Sequence, residues 1–189
     1  ATVNPRRYTI GEVELGINYA MIISTNAGLW GYNIGDTVQF TSINPYHVVV
    51  SGRLKHYISA FGEHVIGKEV ECALKEAMAG TLIQVNEFTV APQITPQTGL
   101  PYHEWFIEFE KEPENLVDFT LKIDLAMRKQ NMYYDDLIRG KVLCNLVITK
   151  VKKDGFQDYM KSIGKLGGQN KIPRLSNDRT IVEALKQVE

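Results

Sequence analysis

An α+β architecture in two parts follows from three features of this 189-residue sequence. Residues 8–52 read as short strands and turns. From residue 57 onward, strand-like and helical runs alternate. Between them the pattern changes at Gly52-Arg53-Leu54-Lys55. The expected organisation is a small β subdomain over residues 1–52 and an α+β sandwich over residues 53–189. The second part should carry a mainly antiparallel sheet with helices on one face.

In the first part, residues 19–24 form an apolar run bounded by Gly16 and Asn26. Strands over 37–40 and 47–50 flank Asn44-Pro45. In the second part, residues 57–60 read as a short strand. Val70, Ala73, Leu74 and Ala77 recur at helical spacing, so 67–79 is a helix that Gly80 ends. Residues 82–91 read as a strand, and 92–101, with three prolines and Gly99, as a loop. Glutamate alternates with apolar residues over 104–110, which predicts a strand with one solvated face. Leu116, Phe119, Ile123 and Met127 stripe a helix over 114–129. A third long strand follows over 142–151, then a short helix over 155–163 and a closing one over 178–187. Ser176 or Asn177 is placed to cap the last helix.

Composition narrows the function. The chain has 21 basic and 22 acidic residues and a net charge of -1. A general nucleic-acid surface needs a basic excess to displace counterions, so none is expected. No apolar run reaches the roughly 20 residues that span a bilayer. Cys72 and Cys144 lie in apolar patterns without metal-site spacing, which reads as free buried thiols in a reducing cytoplasm. His47, His56, His64 and His103 are scattered, so no metal site is expected.

The chemistry concentrates in a few words. Tyr32-Asn33-Ile34-Gly35-Asp36 reads as an aromatic-x-x-Gly-Asp turn. A carboxylate at such a turn can accept hydrogen bonds from both hydroxyls of a ribose, and Gly35 lets the backbone bend there. Arg53, one short strand later, can reach a ribose or a phosphate. Taken singly, Asp36 could equally cap a turn, Arg53 be a surface cation and Tyr32 be core. Lys171 follows Gly167-Gly168-Gln169-Asn170. An ammonium on a flexible loop can stabilise charge on a phosphoryl group once water is excluded, and an exposed turn is the plain alternative. The even spacing of Glu104, Glu108 and Glu110 is better explained by a solvated face than by an acid/base pair.

The run of residues 19–36, ending in that turn, closely resembles a signature of the auxin-responsive Gretchen Hagen family, acyl-acid amido synthetases of the adenylate-forming superfamily. The resemblance continues through Gly52-Arg53 and Ile58-Ser59-Ala60-Phe61-Gly62-Glu63. It resumes over residues 167–179, where it looks more like a bacterial branch than the plant enzymes. Asn131, Tyr134 and Arg139 match a family pattern without an assigned chemistry.

The resemblance implies a two-step, ATP-dependent ligation. A carboxylic acid and ATP form an acyl-adenylate and release pyrophosphate; an amine, such as an amino acid, then attacks. Asp36, Arg53 and Tyr32 are implied to hold the nucleotide, with Mg2+ on its phosphates, and Lys171 to act in adenylation. Lys55 falls at the superfamily's hinge, where aspartate is more usual. The Gly62 turn, with His64 beside it, belongs to the element that enters the second-step site in related enzymes, although a surface histidine is the plainer reading of His64. The superfamily's Ser/Thr/Gly-rich phosphate loop does not occur here. The expectation is therefore a C-terminal piece of a longer cytoplasmic enzyme, inactive alone, working with the N-terminal part of its own chain. Two rivals remain: a coenzyme A ligase of the same superfamily, and a non-catalytic ligand- or protein-binding module.

Overall fold

The structure, a computed structural model, describes residues 5–53, 57–165, 167 and 171–186. The chain divides into two compact units, residues 1–55 and 56–189. Together they make a mixed α+β protein whose sheets are mostly antiparallel.

The first unit opens with a 3₁₀ turn, Ile10–Glu12, and is otherwise one antiparallel sheet: β1 (Asn18–Ile23), β2 (Tyr32–Ile43) and β3 (Tyr46–Arg53), in that order. Asn44-Pro45, joined by a cis peptide bond, connects β2 to β3. The strands are longer than the apolar runs implied, because polar positions such as Asn33 and Ser42 also pair across the sheet. On one face Tyr8, Tyr19, Phe40 and Tyr46 meet edge to face in sequence, with centroids 5.5, 6.2 and 6.1 Å apart. Among the described residues Val38 is the hydrophobic side chain that this unit buries.

The second unit begins with a two-stranded ribbon, β4 (Tyr57–Ile58) and β5 (Val65–Ile66). Helix α1 (Gly67–Met78) follows at once. Its four predicted apolar positions are all buried, and Glu69 reaches back to accept the Ile66 N–H at 2.9 Å. The main sheet is β6 (Gln84–Gln93), β7 (Tyr102–Lys111) and β8 (Val147–Val151), with β7 in the centre. β6 and β7 form an antiparallel hairpin. β8 lies parallel to β7, since α2 (Leu116–Gln130) and α3 (Met132–Arg139) carry the chain back across the sheet between them.

Helix α3 was not anticipated, nor was the late start of β8. Residues 142–146 read as the beginning of a strand because they are apolar. Leu143 and Leu146 instead plug the core from a loop. α4 (Gly155–Ser162) and α5 (Thr180–Lys186) complete the unit. Asp178 caps α5 by accepting the Thr180 N–H at 2.9 Å, in place of Ser176 or Asn177.

Both faces of the main sheet are covered, whereas helices on one face were expected. Phe88, Val90, Trp105 and Ile107 pack under α1, α2 and α3, with Phe88 and Trp105 stacked at 5.7 Å. Ala91 and Phe106, pointing the other way, meet Phe156, Tyr159 and Met160 of α4 and Val182 and Leu185 of α5. The second layer overturns the solvated reading of the glutamates. Glu104 and Glu108 are 4% and 5% exposed, and only Glu110 faces solvent. Each buried carboxylate is paired, as burial of charge requires. Glu104 accepts from the Thr149 hydroxyl and from Arg179, both at 2.6 Å. Glu108 accepts the N–H groups of Asp154 and Phe156 at the start of α4, at 3.1 and 3.4 Å.

Candidate functional site

Three of the sequence-predicted residues lie in the first unit. The register of β2 against β3 sets Arg53 directly across from Asp36. The next pair is Thr37 and Gly52, and beside it Ser51 is an extra residue on β3, whose hydroxyl donates to the Thr37 hydroxyl at 3.1 Å. Asp36 does not stand on a turn, as its Gly-Asp context implied. It lies on a bulge within β2, where Ile34, Gly35 and Asp36 stand opposite the single residue Met21 of β1. A bulge re-aims side chains and breaks the ladder locally, which serves a ligand site as well as a turn does. Gly35 carries φ +82, a value strained for any residue with a Cβ, while the space where a Cβ would stand is open. The glycine is thus needed for the backbone angle and not to relieve crowding. The Asn33 side chain steadies the bulge by accepting the Gly35 N–H at 2.9 Å. Tyr32 begins β2 and is 52% exposed.

Lys171 lies in the second unit, exposed, just before a segment fixed to the edge of β6. Val90 donates its N–H to the Arg174 carbonyl and accepts the Ser176 N–H, both at 3.0 Å. The Thr89 hydroxyl donates to the Pro173 carbonyl at 2.7 Å. Ile172 and Leu175 are buried. Arg174 lies 4.6 Å over the Phe88 ring and pairs with Glu87 and Glu71. Arg179 binds Glu104 and Glu183. Lys171 therefore precedes a firmly seated stretch whose arginines are committed to structure. The expected hinge residue Lys55 lies outside the described residues, as do Gly168, Gln169 and Asn170.

A second polar constellation escaped the sequence reading. Glu63 and His103 are 0% and 1% exposed and meet at 2.9 Å. The other Glu63 oxygen accepts the Phe61 N–H at 2.8 Å. Burial pushes the Glu63 carboxyl up, but hydrogen bonds from His103 and from backbone N–H groups outweigh it, and the net shift is down. Asn131 donates to the Glu63 carbonyl at 3.0 Å and to Glu69 at 3.1 Å, and its oxygen caps α3 by accepting the Tyr134 N–H. The Tyr134 ring lies 5.2 Å from that of His103, and its hydroxyl donates to Asp124 at 2.8 Å. Burial pushes that phenol well up, and the Asp124 charge adds to the shift. Asn131 and Tyr134, noted in the sequence without a role, are thus structural partners of this cluster. His64 is exposed, with φ +50. The cysteines are free thiols, half-buried where full burial was expected.

Comparison with known proteins places these elements. The family model described as the GH3 family C-terminal domain matches residues 68–180, and that of the GH3 family central domain matches residues 2–53. Jasmonoyl–L-amino acid synthetase GH3.5 of Oryza sativa subsp. japonica is 26% identical over 88% of this chain and 30% of its own. Indole-3-acetic acid-amido synthetase GH3.10 of Arabidopsis thaliana is 24% identical over 97% of this chain and 32% of its own. The chain thus spans about a third of the length of these relatives. The fold is shared with the solved GH3.15 acyl acid amido synthetase, at TM-score 0.72 and 19% identity over 95% of this chain and 35% of that one. It is shared equally with AtGH3.15 acyl acid amido synthetase in complex with 2,4-DB, at TM-score 0.71 and 19% identity over 95% and 34%. With both family domains matched in order, this chain belongs to the GH3 family.

Proposed function

We propose that this chain is the C-terminal part of an ATP-dependent acyl-acid amido synthetase of bacterial origin, acting in the cytoplasm. The observation that carries this reading is the pairing of Asp36 with Arg53 across β2 and β3, within the segment that matches the family's central domain. It sets an aspartate, whose carboxylate suits ribose hydroxyls, opposite in register to an arginine, a residue type that suits a ribose or phosphate. Tyr32, half-exposed at the start of the same strand, is a candidate wall for the base. ATP is a substrate here, and Mg2+ accompanies its phosphates.

In the first step the carboxylate of the acyl acid attacks the α-phosphorus, the bond to the β-phosphate oxygen breaks and pyrophosphate leaves. Lys171 stabilises the growing charge on the phosphoryl oxygens. In the second step an amine attacks the acyl carbon, loses a proton and expels AMP, leaving an amide. One relative is named as an amino acid synthetase and the other as an amido synthetase, which favours an amide over a coenzyme A thioester. The 189-residue chain alone is proposed to be inactive, since its sequence holds no phosphate loop.

Isotope exchange between pyrophosphate and ATP, run on the full-length enzyme with a panel of acyl acids, tests the first step. Mass analysis of products with amino acids or coenzyme A tests the second. No exchange with any acid overturns the reading, a thioester product turns it to the coenzyme A ligase, and exchange by the short chain alone overturns its inactivity.

A further inference from the structure

We propose that the outer face of α2 is an interface between two copies of this chain, whose α2 helices meet antiparallel about a twofold axis at Leu121. The inference does not depend on the synthetase reading. The helices that cover the main sheet differ in what they turn to water. Among the described residues, every exposed side chain of α1, α4 and α5 is polar, as Lys68, Lys75 and Glu76 are on α1. α2 departs from this. Its Val117, Leu121 and Leu125 are 67%, 44% and 61% exposed. Standing every fourth residue, they form one line along the helix, while Phe119, Ile123 and Met127 on its other side fill the core. A helix that is apolar on both faces is one that buries both. Beside the N-terminal half of the line lies a groove of about 420 Å³, walled in part by Leu82 and Pro113, so the apolar surface extends past the helix itself.

The charges flanking the line say what covers it. Glu114 and Asp118 lie toward its N-terminal end, and Lys122 and Lys129 toward its C-terminal end; all four are exposed. A second copy turned about an axis through Leu121 sets Val117 of one helix against Leu125 of the other and Leu121 against itself. The same turn brings Asp118 level with the other copy's Lys122 and Glu114 level with its Lys129, no more than two residues, or about 3 Å, out of register. Acid thus meets base on both sides of the axis. A parallel arrangement would set Asp118 beside Asp118 and Lys122 beside Lys122. A twofold interface uses one patch twice, so the patch must be complementary to itself, and this one is. The antiparallel helix dipoles add to the match. Lys129 holds Glu76 at 3.1 Å, but both side chains are at least half exposed, and a pair of that kind is weak enough for Lys129 to turn to the partner.

Sedimentation equilibrium over a range of concentrations tests this, on the 189-residue chain and on the full-length protein. Both should form reversible dimers. Leu121→Glu sets two carboxylates face to face on the axis and should raise the dissociation constant by about 100-fold. Ile163→Glu, at an exposed apolar position beside α4 on the opposite layer, should change it less than about twofold. Asp118→Lys and Lys122→Asp each bring like charges level and should each weaken the dimer about tenfold. The two exchanges combined restore opposite charges across the axis and should bring the dimer back. Far-UV circular dichroism checks that each variant is folded. Monomers of both proteins at every concentration overturn the interface, and dimers that survive Leu121→Glu place it elsewhere and overturn it equally. Single exchanges that weaken the dimer without recovery in the double variant overturn the antiparallel arrangement. A short chain that dimerises while the full-length protein does not shows α2 covered by the N-terminal part of its own polypeptide, and overturns self-association.

Discussion

The two units each contain a three-stranded sheet, and they bury it very differently. Among the described residues, the first unit encloses one hydrophobic side chain, Val38, and leaves Val48, Val49 and Val50 on β3 and Trp30 before β2 open to solvent. The second encloses Trp105, Ile107 and Phe88 on one face and Phe106 and Ala91 on the other. Strand number is alike and so does not set the difference; a covering layer does. A sheet without one exposes the apolar area whose removal from water supplies most of the folding free energy, at roughly 25 cal/mol per Å². The candidate site follows the same division. Asp36 and Arg53 stand on the uncovered sheet and Lys171 beside the covered one.

Separating the units gives the largest expected effect. Residues 57–189 alone should unfold in one cooperative transition in urea, followed by circular dichroism, whereas residues 5–53 alone should show no cooperative transition. A sharp transition in the short piece would mean that the aromatic row of Tyr8, Tyr19, Phe40 and Tyr46 suffices as a core. The two tryptophans sharpen the contrast next, since each unit has one. Trp105, fully buried, should cost about 3–5 kcal/mol when replaced by alanine. Trp30, 84% exposed, should cost less than about 0.5 kcal/mol. Denaturation midpoints of Trp105→Ala and Trp30→Ala measure both, and a comparable loss at Trp30 would reveal a cover that the exposure value does not show.

Acid should separate the units further. Burial pushes the Glu104 carboxyl up, but hydrogen bonds from Thr149 and Arg179 and the charge of Lys186 outweigh it, so its shift is down, as is that of Glu63. A carboxyl lowered on folding contributes stability that is complete above its unfolded value, near 4.3, and is lost as pH falls through the lower folded value. The second unit should therefore weaken below about pH 4. Glu104→Gln should flatten that dependence in urea titrations at pH 3 and pH 6, and an unchanged slope would remove Glu104 from the account. The smallest expected effect is at the start of α2, where Asn115 accepts the N–H groups of Val117 and Asp118 at 3.0 and 3.2 Å. Asn115→Ala should cost about 1 kcal/mol, read from the same midpoints.

Which parts of this were legible beforehand depended on whether the signal was local. Helix α1 is written in four apolar positions and a terminal glycine, and it lies one residue short of its expected end. The site words around Asp36 and Arg53 were legible as words, while their facing register needed the bulges at Gly35 and Ser51. Glu104 and Glu108 misled because an alternating strand looks the same whether its polar face meets water or a second layer carrying Thr149, Arg179 and the start of α4. Glu63 and His103, 40 residues apart, become a pair only when β7 passes beneath the turn. Asn131 did carry a signal, an asparagine between two helical stretches. Its cap for α3 was there to be read, and its bond to Glu63 was not.

The attachment of residues 174–176 to Val90 has a colloidal consequence. β6 is an outer strand of the main sheet, and an outer strand with free N–H and C=O groups is a template for another chain. Here the polypeptide covers part of its own edge, spending the Val90 N–H and carbonyl on Arg174 and Ser176. A chain cut before Pro173 would lose that guard and leave Phe88, Thr89 and Val90 beside an open ladder. Such a product should form strand-paired dimers and larger species, visible by light scattering, under conditions where the intact chain stays dispersed.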